Sequence, residues 1–127
     1  MFLSQKPVNL TFKEKLVFEM HWYAFSDGQA WANGNLNKIC DSVTSSVMRR
    51  GGFLITANKT YTAPLSFSEF EIDQRGTNVN DNRYINCFLA FAAKNDLDWA
   101  YWALQSSYYI RSRIPTLDET YGILNGD

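Results

Sequence analysis

The sequence has little of what a metal site or a disulfide scaffold requires. Its 127 residues include two cysteines, Cys40 and Cys87, and one histidine, His21. Two cysteines are too few for a disulfide framework, and they lack the C-x-x-C spacing of zinc or thioredoxin-type redox sites. A single histidine excludes an all-histidine metal site. We therefore predict neither a metal nor a cofactor.

The sequence also lacks a large excess of positive or negative charge, and it lacks a long apolar segment. The formal net charge of −1 at pH 7 argues against a nucleic acid or an anionic membrane as partner. No apolar run approaches the roughly 20 residues of a membrane span. Residues 1–6 have no basic segment leading into an apolar stretch, so they do not resemble a signal peptide. Sequons at Asn9 and Asn58 carry little weight for secretion, because about this many arise by chance.

What the sequence does contain in abundance is aromatic residues, which make up 16% of the chain. Such a share first indicates a packed core, and it also suits proteins that stack rings against sugars or bases. Within the length of one domain, strand-like stretches are predicted at about 15–25, 64–70 and 97–105. Helical periodicity is predicted between them. This β-α-β-α-β pattern predicts an α/β fold of parallel strands with crossover helices.

The two predicted helices contain the two cysteines. The first helix covers 38–50 with Asn37 as N-cap, and the second runs to position 93 from a cap at Asn80 or Asp81. Cys40 and Cys87 each lie near a helix start. Two interpretations stay open, a bridge between adjacent helices in an oxidising compartment or two separate buried thiols.

In parallel folds the functional groups collect where strands pass into loops, at the carboxyl ends. This rule selects His21, Trp22 and Tyr23 on the first strand, Glu69 on the second and the 102–105 segment on the third. A histidine, a tyrosine, an acid and a tryptophan would then share one edge of the sheet.

Three segments around these residues resemble a known enzyme family. They are FEMHWY (18–23) with SDG (26–28), SEF (68–70) with DQRGTN (73–78), and DWAYW (98–102) with SYY (107–109). In this order and spacing they resemble glycoside hydrolase family 5, most closely its plant cellulase-like branch. The resemblance extends from about Lys15 to about Gly122.

The resemblance implies a retaining glycosidase on a (β/α)8 TIM barrel that acts on a β-linked polysaccharide or oligosaccharide. Residues 1–127 would be the C-terminal part of the catalytic domain, with barrel strands six, seven and eight at the predicted strands. By the same resemblance Glu69 is the nucleophile, Tyr23 orients it, His21 contacts the substrate and Trp102 is a sugar platform. The family is mostly secreted.

Several further residues have competing interpretations. Trp31, in the loop after the first strand, is either an outer sugar subsite or a loop anchor. Trp22 and Trp99 are predicted to pack against helices. Arg75 is predicted to pair with Asp73 or Asp81, and Glu119 to be a solvated acid.

The second carboxyl group of a retaining glycosidase is not found. The family places it on a Glu after Asn, and the sequence has no Asn-Glu pair. Since a full barrel takes roughly 250 residues, we expect the chain alone to be inactive and to need an N-terminal half-barrel to fold. Alone it should expose barrel-facing side chains such as Phe67 and be poorly soluble or partly molten. The alternative function is an inactive carbohydrate-binding or vestigial protein.

Overall fold

The computed structural model describes residues 8–12, 14–56, 62–106, 110, 113–115 and 119–124. Within them the predicted alternation of strands and helices is confirmed. The elements are β1 (Phe18–His21), a 3-10 turn (Ala24–Asp27), α1 (Leu36–Gly51), β2 (Leu65–Phe70), α2 (Val79–Lys94) and β3 (Asp98–Tyr101). Asn58 and the 107–109 segment lie outside the described residues.

The three strands form a parallel sheet in the order β1-β2-β3. His21 of β1 is the register partner of Glu69 of β2, and Phe70 of β2 is the partner of Tyr101 of β3. The carboxyl ends of all three strands therefore meet at one edge of the sheet. In the described part of the chain, no further strand pairs with the outer sides of β1 and β3, so the sheet does not close into a barrel.

The first and third strands are shorter than predicted. β1 ends at His21, because the chain turns at Tyr23 into the 3-10 turn, which Gly28 ends with a φ of +62°. A positive φ is a conformation that glycine adopts at no steric cost. Both helices begin before the predicted caps. Asn35 caps α1 by accepting from the Lys38 N–H, and Asn78 caps α2.

The core lies between the sheet and the two helices, and Trp22 is at its centre. Its ring meets four other aromatic rings at centroid distances of 5.5–5.9 Å, those of Phe67, Tyr84, Phe88 and Phe91. The predicted packing role of Trp22 is confirmed, since the residue is fully buried. The expectation that Phe67 is exposed is wrong, because this side chain is fully buried against Phe88 and Phe91 of α2. Trp99 is 52% exposed and its ring meets that of Phe70 edge-on at a centroid distance of 5.5 Å, so its packing against a helix stays a prediction.

A disulfide between Cys40 and Cys87 joins α1 to α2, with the two Cα atoms 5.6 Å apart. Of the two interpretations left open by the sequence, the structure therefore favours the bridge. It crosslinks the outer layer of the fold at two positions that are 47 residues apart. No helix among the described residues is long and apolar enough to cross a membrane.

Candidate active site

The carboxyl ends of β1 and β2 bring together an acid, a phenol and an imidazole. The Tyr23 hydroxyl donates a hydrogen bond to Oε1 of Glu69. His21 Nδ1 lies 3.5 Å from Oε2 of the same carboxylate. The three residues predicted to act together are thus adjacent, and each carboxylate oxygen of Glu69 has its own neighbour.

Burial differs among the three side chains in a way that suits a reactive acid. Tyr23 is buried, the Glu69 side chain is 26% exposed and the His21 side chain is 46% exposed. The phenol holds one oxygen of Glu69 from inside the protein, with a hydrogen bond strengthened by the negative charge of its acceptor. The carboxylate keeps a solvent-facing side through which a ligand can approach.

Glu19 and Ser68 lie on the other side of the imidazole. Oε1 of Glu19 is 3.9 Å from His21 Nε2, and its Oε2 accepts a 2.8 Å hydrogen bond from the Ser68 hydroxyl. The alternation along β1 places Glu19 and His21 on one face, so the sequence contained a signal for this contact. The sequence indicates no role for Glu19, whereas the structure places its carboxylate beside His21 in the predicted site.

Tyr23 is held in place by the chain around it. The Trp22 N–H donates to the Glu69 carbonyl at 3.2 Å, which continues the pairing of β1 and β2 beyond the strand. The carbonyl of Trp22 accepts from the Tyr84 hydroxyl. The Tyr23 ring stacks on Phe25 with a centroid distance of 4.6 Å. These contacts fix the backbone and ring of the residue that holds Glu69.

Asp27 organises the loop that follows β1, and sequence reasoning missed it. Its Oδ2 accepts 2.8 Å hydrogen bonds from the indole N–H groups of both Trp22 and Trp31. Both tryptophans are fully buried, and Trp31 packs edge-on against Tyr84. The Trp31 side chain therefore has no solvent-accessible surface that a sugar could contact. The prediction of an outer subsite is corrected to the loop-anchor alternative.

Trp102 follows β3 at the same edge of the sheet as Glu69. Its N–H donates to the Phe70 carbonyl at 2.9 Å, and the residue is 49% exposed. A half-exposed indole beside the strand ends has a face available to a ligand. Its role as a sugar platform stays a prediction.

A charged cluster anchors the segment after β2. Asp73 is buried, and its carboxylate accepts from the Arg75 guanidinium at 2.9 Å. Of the two predicted partners of Arg75, Asp73 is thus the observed one. This hydrogen bonding lowers the pKa of Asp73, whereas burial raises the pKa of Asp81, which accepts from the Asp73 N–H at 2.9 Å. The cluster ties the segment that follows Glu69 to the first turn of α2.

Other parts of the described residues offer no second catalytic centre beside Glu69. A large cleft between α1 and α2 is lined by residues including Cys40, Thr44, Phe53 and Phe91, and it does not reach the acid. In the described ranges no group of three or more His, Cys, Asp or Glu is arranged to hold a metal ion. The carboxylate of Glu119 accepts hydrogen bonds from the Gln105 side chain and from the N–H of Tyr121.

Comparison with known proteins gives one informative relative. The chain is 47% identical over 129 aligned positions to a glycosyl hydrolase 5 family protein of Chamaecyparis obtusa. The alignment covers 99% of the chain but 23% of the relative, so the chain spans about a quarter of that protein's length. No family model and no solved structure matches the chain. The relationship to glycoside hydrolase family 5 indicated by the three sequence segments is confirmed.

Proposed function

We propose that this chain, which is related to glycoside hydrolase family 5, forms the nucleophile side of a retaining active site for β-linked polysaccharide. In this proposal β1, β2 and β3 are strands six to eight of a (β/α)8 barrel, and residues 1–127 are the C-terminal part of its catalytic domain. The observation that supports it most is the hydrogen bond from the buried Tyr23 phenol to Glu69, beside His21. A solvated surface acid would have no such partners.

The proposed chemistry begins with Glu69. Its carboxylate attacks the anomeric carbon, the leaving group departs, and a covalent glycosyl ester forms on the glutamate through an oxocarbenium-like transition state. Tyr23 keeps the attacking carboxylate in one orientation. His21, which is partly exposed beside the acid, donates to or accepts from a hydroxyl of the bound sugar. Trp102 offers an indole plane to the C–H face of the ring.

Retention requires a second carboxyl group about 5–5.5 Å from the nucleophile, acting first as acid and then as base. Glu19 is an acid on the same face of the sheet beside His21, yet its oxygens are engaged by Ser68 and by the far nitrogen of His21. We propose that the acid/base group comes from a part of the barrel that this chain does not supply. The chain alone should then react only with glycosides whose leaving group needs no proton.

A trapping experiment tests the role of Glu69. The chain is incubated with a dinitrophenyl β-glycoside that carries fluorine next to the anomeric carbon, and its peptides are analysed by mass spectrometry. We expect one sugar adduct, on Glu69, which is absent in Glu69→Gln and present in Glu19→Gln. Tyr23→Phe should slow labelling about 10- to 100-fold, because a hydrogen bond to a charged group is lost. A label on Glu19, or the same label in Glu69→Gln, contradicts the proposal.

The second candidate is a carbohydrate-binding protein that does not cleave. It is favoured by the engagement of the neighbouring acid, Glu19, with Ser68 and His21, together with the half-exposed Trp102. Native gels that contain soluble β-glucan or mannan separate the two functions. Retardation that is lost in Trp102→Ala, with no adduct in the trapping experiment, supports binding alone.

A further inference from the structure

The sequon Asn9-Leu10-Thr11 lies on the surface. All three residues are exposed, and they belong to neither a helix nor a strand. An acceptor asparagine has to enter the active site of a transferase with its backbone accessible, and an irregular exposed segment permits that. The residue between Asn9 and Thr11 is leucine, which satisfies the exclusion of proline at this position.

Asn9 lies at the opposite end of the sheet from Glu69. It lines a surface cleft together with Val17, Thr62 and Pro64, which come just before β1 and β2. Those residues mark the amino ends of parallel strands, whereas Glu69 and His21 lie at the carboxyl ends. A bulky group on Asn9 would therefore leave the candidate active site open.

The Cys40–Cys87 bridge is an independent observation that points to the same compartment. Disulfides form and persist in the lumen of the endoplasmic reticulum and outside the cell, and are rare in the cytosol. The lumen is also where asparagine receives its glycan. In that compartment a chain with an exposed sequon meets the modifying enzyme.

We propose that Asn9 is an N-glycosylation site. The co-reactant is an oligosaccharide linked to a lipid pyrophosphate. A bond forms between Asn9 Nδ2 and the anomeric carbon of the first sugar, the bond from that carbon to the pyrophosphate oxygen breaks, and Nδ2 loses one proton. The lipid pyrophosphate is the leaving group, and no oxidant or reductant is needed.

The surroundings of Asn9 give the glycan a physical effect. Val8, Leu10, Phe12 and Val17 are large apolar side chains that are all exposed near it. Contiguous exposed apolar surface promotes association, and a bulky hydrophilic glycan beside it opposes contact with a second molecule. The glycosylated chain should stay in solution at concentrations at which the unmodified chain aggregates.

The test uses the full 127-residue chain behind a cleavable secretion leader in eukaryotic cells. Asn58→Gln is present throughout, so that Asn9 is the remaining sequon. Peptides from the medium and from the cells are analysed by mass spectrometry before and after peptide N-glycosidase. We expect a glycan on the Asn9 peptide, its loss in Asn9→Gln and Thr11→Ala, and its retention in the matched variant Thr11→Ser.

Both fractions are informative, because transfer takes place as the chain enters the lumen and does not depend on its later export. An unmodified Asn9 peptide in both fractions, in a sample where Cys40 and Cys87 are bridged, overturns the proposal. This result would leave the role of Glu69 untouched, since the two sites lie at opposite ends of the sheet and the assays share no readout.

Discussion

Asp27→Ala removes the acceptor shared by two buried indoles, and its cost follows from the structure. The Trp22 and Trp31 N–H groups each donate to Asp27 Oδ2 at 2.8 Å, and both residues are fully buried. Leaving a buried donor unsatisfied costs about 1–3 kcal/mol. Two such donors cost roughly 2–6 kcal/mol, and the lower limit corresponds to about a 30-fold change in a local opening equilibrium.

Hydrogen exchange of the indole N–H groups, followed by NMR, measures this opening directly. Exchange at Trp22 and Trp31 should accelerate at least about 30-fold in Asp27→Ala and less in Asp27→Asn, which keeps an acceptor oxygen. The half-exposed Trp99 and Trp102 serve as internal references. Asp41→Ala, at an exposed acid of α1, is the matched control. Acceleration below about threefold at the buried pair, or equal acceleration at all four indoles, would refute the reasoning.

Four further predictions address stability, assembly and chemistry. Cys40→Ser with Cys87→Ser should destabilise the chain by about 4 kcal/mol in urea unfolding, because the bridge closes a loop of 47 residues; an unchanged midpoint contradicts this. The lowered pKa of Asp73 means that ionisation of this acid stabilises the fold and that this contribution is lost as the pH falls through that pKa. Arg75→Met should therefore lower the urea midpoint near neutral pH. The difference in midpoint between the variant and the native chain should become smaller below about pH 4. Light scattering should detect self-association through the open sheet edges, and a monomer that melts sharply would argue otherwise. The chain should release no reducing sugar from β-glucan or mannan, and release that is lost in Glu69→Gln would overturn this.

The site could be predicted where local periodicity determines it. Alternation along β1 places His21 and Tyr23 on one face, and parallel pairing brings the end of β1 beside Glu69. The first step needs only the local alternation, and the second needs only the rule that strands joined by a helical crossover pair in parallel. The helices are likewise visible as periodic patterns, although several asparagines compete as caps, and the structure uses Asn35 and Asn78.

The errors concern contacts that arise when elements pack together. The alternation along β2 places Phe67 on the opposite face from the serines beside it, but it does not show which face the helices cover. In the structure Phe67 lies on the covered face and is fully buried. Trp31 is buried because the 3-10 turn brings Asp27 within reach of its indole, which spacing along the chain does not reveal.

The chemistry available to the chain follows from which strands it contains. Glu69 lies in β2 and Tyr23 follows the neighbouring β1, so the proposed nucleophile and the phenol that holds it assemble within one local unit. In the proposed mechanism a second carboxyl group about 5–5.5 Å away has to reach across the sugar from another direction, and three adjacent strands would form one side of the proposed barrel. A nucleophile without its acid can displace a phenolate that leaves unprotonated, but it cannot expel a sugar alkoxide at neutral pH. Dependence on the leaving group, more than any measure of affinity, therefore distinguishes an incomplete enzyme from a protein that only binds sugar.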